Sequence, residues 1–62
     1  MGAFIKTVDG SEIQVEESLE EIERFIIGFE WIKVAEQLGS KQDGFMGTRT
    51  TIINVGNIIK IY

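Results

Sequence analysis

The sequence predicts an α+β fold: an antiparallel sheet of four to five strands with one short helix, in the order β-β-α-β-β or β-β-α-β-β-β. Three observations predict it. Asp9-Gly10 separates two short strand-like runs, "AFIKTV" and "SEIQV". Ser18 and Glu21 open a segment of helical periodicity, "SLEEIERFII". The C-terminal stretch "TRTTIINVGNIIKIY" is dense in β-branched residues, which suit strands. One helix among several strands must lay its apolar stripe on the sheet, which is the α+β plan.

The first unit is a hairpin. Asp-Gly supplies the positive φ angles of a two-residue type I′ turn, so strands are expected at 3–8 and 11–15. In the second strand Ile13 and Val15 alternate with Glu12 and Gln14, giving one buried and one wet face. A helix is then expected over 19–27. Ser18 and Glu21 have capping-box spacing, in which hydroxyl and carboxylate satisfy each other's backbone amides. The early glutamates suit the positive end of the helix dipole. Leu19, Ile22, Phe25 and Ile26 form one stripe at 3–4 spacing, and Gly28 is the expected stop. Glu20 and Arg24 are an i,i+4 pair in the favourable orientation. A helix this short does not persist in water alone, so packing must hold it.

A third strand is expected over 29–37, "FEWIKVAEQ". It is followed by a loop at 38–47 carrying Phe45 and Met46 between Gly44 and Gly47. Residues 48–62 read either as two strands, 48–55 and 57–62, or as one strand bulged at Val55-Gly56. The expected core is Ile5, Ile13, Val15, Leu19, Ile22, Ile26, Ile32, Val34, Ile53, Val55, Ile59 and Ile61. Period-2 alternation sends a second apolar set to the opposite face: Phe4, Val8, Phe29, Trp31, Ile52, Ile58 and Tyr62.

Composition narrows the chemistry. The chain has 62 residues, no cysteine, no histidine and no proline, and 44% of its residues are hydrophobic. That is a single small globular domain, of a size that is marginal when alone. Disulfides are excluded, and a structural zinc site needs Cys or His almost without exception. A partner subunit is the remaining common way to stabilise so small a scaffold. The lack of cysteine suits a reducing compartment. No segment has the run of about 20 apolar residues of a membrane helix, and "MGAFIK" lacks both a signal-peptide pattern and the Ser or Thr of a myristoylation site. The expectation is a soluble cytoplasmic protein with no membrane partner.

The net charge is −4, with five of the ten acids in residues 16–23, namely Glu16, Glu17, Glu20, Glu21 and Glu23. Helix capping accounts for most of this run, which is read as a solvated face. From Gln37 onward the charges are Lys41, Arg49 and Lys60 against Asp43, a local balance of +2.

No catalytic constellation emerges. Histidine, the commonest general acid or base, is missing. "DGSE" at 9–12 lacks the spacing of a calcium loop, and "GSKQDG" lacks the Gly-Lys-Ser/Thr end of a phosphate loop. The chain is read as non-enzymatic, with no cofactor, no metal and no small-molecule substrate.

Residues 5–26, centred on "DGSEIQVEESLEEIERFI", resemble the hairpin-then-helix segment of the small FlbD/SwrD-type flagellar and swarming-motility proteins. There an Asn-Gly or Asp-Gly turn precedes a strand and then a Val-x-Glu-Ser-like helix start. The second half, with Trp31 and the glycine-rich stretch, departs from that pattern. The resemblance implies the hairpin–helix plan and brings no catalytic residues with it.

The functional expectation is protein–protein contact with self-association through an apolar sheet face. The contact residues are Phe4, Phe29, Trp31, Ile52, Ile58 and Tyr62, with Phe45 and Met46 either covering that face or reaching a neighbouring subunit. The open strand edges also offer β-augmentation. The alternative is a small nucleic-acid-binding regulator using Lys33, Lys41, Arg49 and Lys60 with aromatic stacking.

Overall fold

A computed structural model describes residues 2–40 and 44–62, apart from the side chains of Ser40 and Phe45. The chain runs β1 (Phe4–Thr7), β2 (Glu12–Gln14), α1 (Leu19–Gly28), β3 (Trp31–Ser40), β4 (Gly44–Asn54), a 3-10 turn (Val55–Asn57) and β5 (Ile58–Ile61). The fold is α+β with antiparallel pairing throughout, as the sequence predicts. The strands divide into a three-stranded sheet, β2-β1-β5, and a two-stranded hairpin, β3-β4. A single antiparallel bridge, Val15 to Glu36, joins them.

The first hairpin forms at Asp9-Gly10, but not through a type I′ turn. Gly10 has φ 90°, while no described non-glycine residue has positive φ, so Asp9 does not supply the second such angle. The Gly10 amide donates to the Thr7 carbonyl at 3.0 Å, and the Thr7 amide donates to Ser11 O at 2.9 Å. The loop is therefore Val8-Asp9-Gly10, one residue longer than expected, with glycine closing it in the left-handed region. The Asp9 carboxylate accepts from the Thr7 hydroxyl, from the Ser11 amide at 2.9 Å and from the Ser11 hydroxyl at 3.1 Å.

The capping box is present. The Glu21 amide donates to Ser18 Oγ at 3.2 Å, and the Ser18 amide donates to Glu21 Oε1 at 3.3 Å. The helix includes Gly28 and ends as Phe29 becomes extended, at φ −136°. Its one fully buried residue is Ile22, which joins Ala3, Ile5, Val15, Ile32, Val34 and Ile53 in the core. Burying each of the fully enclosed aliphatic side chains, Ile5, Val15, Ile22 and Val34, contributes about 1.5–3 kcal/mol. Two expected core residues lie outside it: Leu19 is 40% exposed and Ile59 is 59% exposed. Ala3 enters it instead.

Glu17 departs from the solvated-acid reading. Its carboxylate accepts the Ala35 amide at 3.0 and 3.1 Å. Its carbonyl accepts the Ala3 amide at 3.0 Å, and the neighbouring Glu16 amide donates to the Ala35 carbonyl at 2.9 Å. One short segment thus ties the three-stranded sheet to β3. Gly2 lies against the same segment, where an added Cβ would meet the Val15 carbonyl oxygen at 1.5 Å.

The stretch expected as a loop at 38–47 is mostly strand. Leu38 pairs with Gly47, Gly39 with Phe45 and Ser40 with Gly44, the register stepping past Met46. Positive φ at Gly39 (94°), Gly44 (80°) and Gly47 (123°) lets the paired chains bend there.

Residues 48–62 hold two strands, as one of the two sequence readings has it, but β4 and β5 do not pair with each other. A 3-10 turn at Val55–Asn57, capped by Asn54 Oδ1 accepting the Gly56 amide at 2.9 Å, sends β5 to pair with β1 instead. In that pairing Ile5 faces Ile61, Lys6 faces Lys60 and Thr7 faces Ile58, so Ile59 is stepped over. The alternation shifts with it. Ile58 packs against the core and Ile59 points to solvent, the reverse of the expected assignment.

Candidate functional site

Splitting the strands into two units divides the expected apolar face as well. On the three-stranded sheet, Phe4 and Tyr62 stack with ring centroids 5.2 Å apart and planes 15° from parallel. Lys60 Nζ lies 4.8 Å from the Tyr62 ring centroid, and Lys6 pairs directly across from Lys60. A hydrogen bond with Glu12, then desolvation and its negative charge, raises the Tyr62 phenol above its ordinary pKa. The aromatic pair is thus dressed by charged side chains, and Phe4 is partly buried. Val8 sits in the turn at 61% exposure. Ile58, expected at the contact face, is turned inward.

The hairpin carries the undressed apolar surface. Cross-strand partners alternate between two sides. Ile32 with Ile53 and Val34 with Thr51 face the core, while Trp31 with Asn54 and Lys33 with Ile52 face outward. Trp31 is 59% exposed and Ile52 64%, and this register makes them diagonal neighbours on one surface. Phe29, at the helix C-cap, is also 64% exposed. Where the helix end meets β3, Phe25, Phe29, Trp31, Ile32 and Lys33 line an open groove of about 230 Å³. That is below the roughly 300–1,000 Å³ usual for small-molecule sites.

Toward the tip the inner face of the hairpin turns polar. Glu36 accepts from the Thr51 hydroxyl at 2.9 Å and from Arg49 Nη2 at 3.3 Å. Arg49, a candidate nucleic-acid contact, is therefore engaged in an intramolecular ion pair. Lys33 lies on the outer face beside Ile52, and Lys60 lies over Tyr62 on the other sheet. Lys41 lies outside the described residues, as does the side chain of Phe45. Met46 is 82% exposed on the hairpin, so it does not lid a face of its own chain. Among the described residues, Lys33, Arg49 and Lys60 do not converge on one surface.

Three features of the site were missed in the sequence. Ile27 is 87% exposed. Its position one heptad after Glu20 placed it on the polar side of the helix and was the signal for it. Phe25 packs against the core, as its place on the apolar stripe implies, and its second role in lining the groove was not anticipated. Lys6 joins Lys60 through a pairing that no local pattern announces.

The interior among the described residues is aliphatic, with no buried polar or charged residue. No group of three or more His, Cys, Asp or Glu side chains positioned to hold a metal occurs among the described residues. No described helix is long and apolar enough to cross a membrane. No protein-family model, curated protein or solved structure matches the chain.

Proposed function

We propose that this chain acts through protein–protein contact and not through catalysis, and that it self-associates using the outer face of the β3–β4 hairpin. One observation carries the reading: Phe29, Trp31 and Ile52 remain about three-fifths exposed beside an apolar groove. Contiguous apolar surface of this kind on a small domain marks a contact site, and aromatic side chains dominate the energetics of such sites. The lack of cysteine fits action in the reducing cytoplasm. The test is solution mass by light scattering after size exclusion. The native chain is expected to exceed its 7.0 kDa monomer mass, and Trp31→Glu to reduce the assembly. Equal masses for the two chains would rule out the Trp31 face as the self-association surface.

A second reading is favoured by the other sheet. Phe4, Tyr62, Lys6 and Lys60 form a stacking platform with adjacent cations, the chemistry that binds single-stranded nucleic acid. Salt-dependent retention on a single-stranded oligonucleotide, lost in Tyr62→Ala, would support it. No retention at low salt would remove it.

A further inference from the structure

β4 leaves one edge open. Among the described residues it pairs with β3 alone. The hydrogen-bond phase of the hairpin is set by the Val55 amide donating to the Glu30 carbonyl at 2.8 Å. Stepping by two along the antiparallel ladder, Ile53, Thr51 and Arg49 bond to β3. The backbone groups of Thr48, Thr50 and Ile52 therefore point away from it. On β3, the Ala35 amide and carbonyl go to Glu17 and Glu16, as the same phase requires.

We propose that two copies of this chain pair antiparallel through this edge, about a two-fold axis at Thr50. Thr50 then exchanges backbone hydrogen bonds with its own counterpart, and Thr48 does so with the second copy's Ile52. The product is a four-stranded sheet, β3-β4-β4-β3. A two-fold axis normal to the sheet puts both Trp31 surfaces on the same side. The inference rests on the reading that the chain self-associates, and it supplies the partner and the register.

Three features favour a second copy as the occupant. Pairing Thr48, Thr50 and Ile52 about Thr50 sets each outward N–H against an outward C=O of the second copy, the self-complementarity that a two-fold contact needs. The strand carries no proline, and its charge is Arg49, already paired with Glu36. In this register Arg49 faces the second copy's Thr51, and the two guanidiniums meet only diagonally, each beside its own carboxylate. The open edge of β5 is a poorer candidate. It is four residues long, it is bulged at Ile59, and pairing there would add cations next to Lys60 and Lys6. The Met46 bulge ends the regular edge of β4 on the tip side, which confines pairing to the stretch around Thr50.

Thr50→Pro tests the contact, since proline removes an outward amide that β3 does not use and is tolerated at a strand edge in that position. It is expected to lower the mass of the native assembly in light scattering while keeping the native circular dichroism spectrum. Thr50→Cys keeps the idea testable should the proline variant fail to fold, because the chain has no other thiol. A hydrogen-bonded antiparallel pair places Cα atoms about 5.5 Å apart, within disulfide reach. At about 10 µM chain, mild oxidation is expected to cross-link Thr50→Cys roughly 100-fold faster than Glu23→Cys on the exposed helix face, given an effective concentration near mM. Cross-linking no faster than at Glu23, or a folded Thr50→Pro that keeps the native mass, overturns the proposal. Thr50→Cys in a Trp31→Glu background separates the two contacts. Cross-linking that persists there supports the edge independently of the Trp31 face, and cross-linking that collapses there counts against an edge contact.

Discussion

The three-stranded sheet and the β3–β4 hairpin send side chains into the same core, but they finish their other surfaces in opposite ways. In the sheet, β1 has a hydrogen-bonded neighbour on each side. Its outward aromatic, Phe4, is stacked on Tyr62 and bordered by Lys60. In the hairpin, Ile32, Val34 and Ile53 are buried at the base, the inner face becomes the Glu36–Arg49–Thr51 network farther out, and the outer face leaves Trp31 and Ile52 uncovered. One region completes itself and the other is left to be completed. The buried side chains are concentrated where both units meet the helix, and the exposed apolar surface lies on the outer face of the hairpin base, beside the helix end.

The largest test of this contrast sets Ile22 against Met46. Ile22 is fully enclosed between helix and strands, so Ile22→Ala is expected to cost about 2–5 kcal/mol, enough to unfold much of so small a domain. Met46→Ala, at an 82% exposed position, is expected to change stability by less than about 0.5 kcal/mol. Urea denaturation followed by tryptophan fluorescence measures both. Similar midpoints for the two variants would mean that the hairpin tip shares the core's packing.

The next test strikes the seam between the regions. Glu17→Ala removes the acceptor of the Ala35 amide, and a half-buried donor left without a partner costs about 1–3 kcal/mol. Hydrogen exchange should show the Ala35 amide losing protection first, ahead of the Ile5 amide. Uniform loss across both units would indicate a single cooperative sheet with no separable seam.

The smallest effect belongs to the first turn. The Thr7 hydroxyl, then the Ser11 amide and hydroxyl, hold the Asp9 carboxyl below its ordinary value. A folded pKa below the unfolded one gives stability that is present above the unfolded pKa, about 3.9, and is lost as pH falls through the folded value. Asp9→Asn should therefore melt slightly below the native chain at neutral pH, and the two should converge in strong acid. A gap of the same size at both pH values would show that the ionised carboxylate does not stabilise the turn.

Much of the local structure was legible in the residues. Asp9-Gly10 announced a reversal, though the turn closed with three residues because only Gly10 takes positive φ. Ser18 and Glu21 announced the helix start, and the capping box formed as read. Trp31 and Ile52 were assigned to an outer face by alternation, and they lie there because β3 and β4 stay in register across both residues. The long hairpin was read as a loop because its glycines and polar residues mark turns in general. Here three of those glycines lie within paired strands.

The sequence by itself determined what depends on neighbours a few residues away: the helix with its cap, the first hairpin, the alternation within each strand, and an apolar surplus larger than one short helix can cover. Tertiary structure decided what depends on partners far along the chain. It split the strands into two units, turned Ile58 inward and Ile59 outward, tied Glu17 to Ala35, and brought Lys6 beside Lys60. The reason is geometric. A one-residue step in a strand exchanges its two faces, and that step was set by the 3-10 turn at Val55–Asn57 and by β5 pairing with β1, a partner more than fifty residues away in sequence.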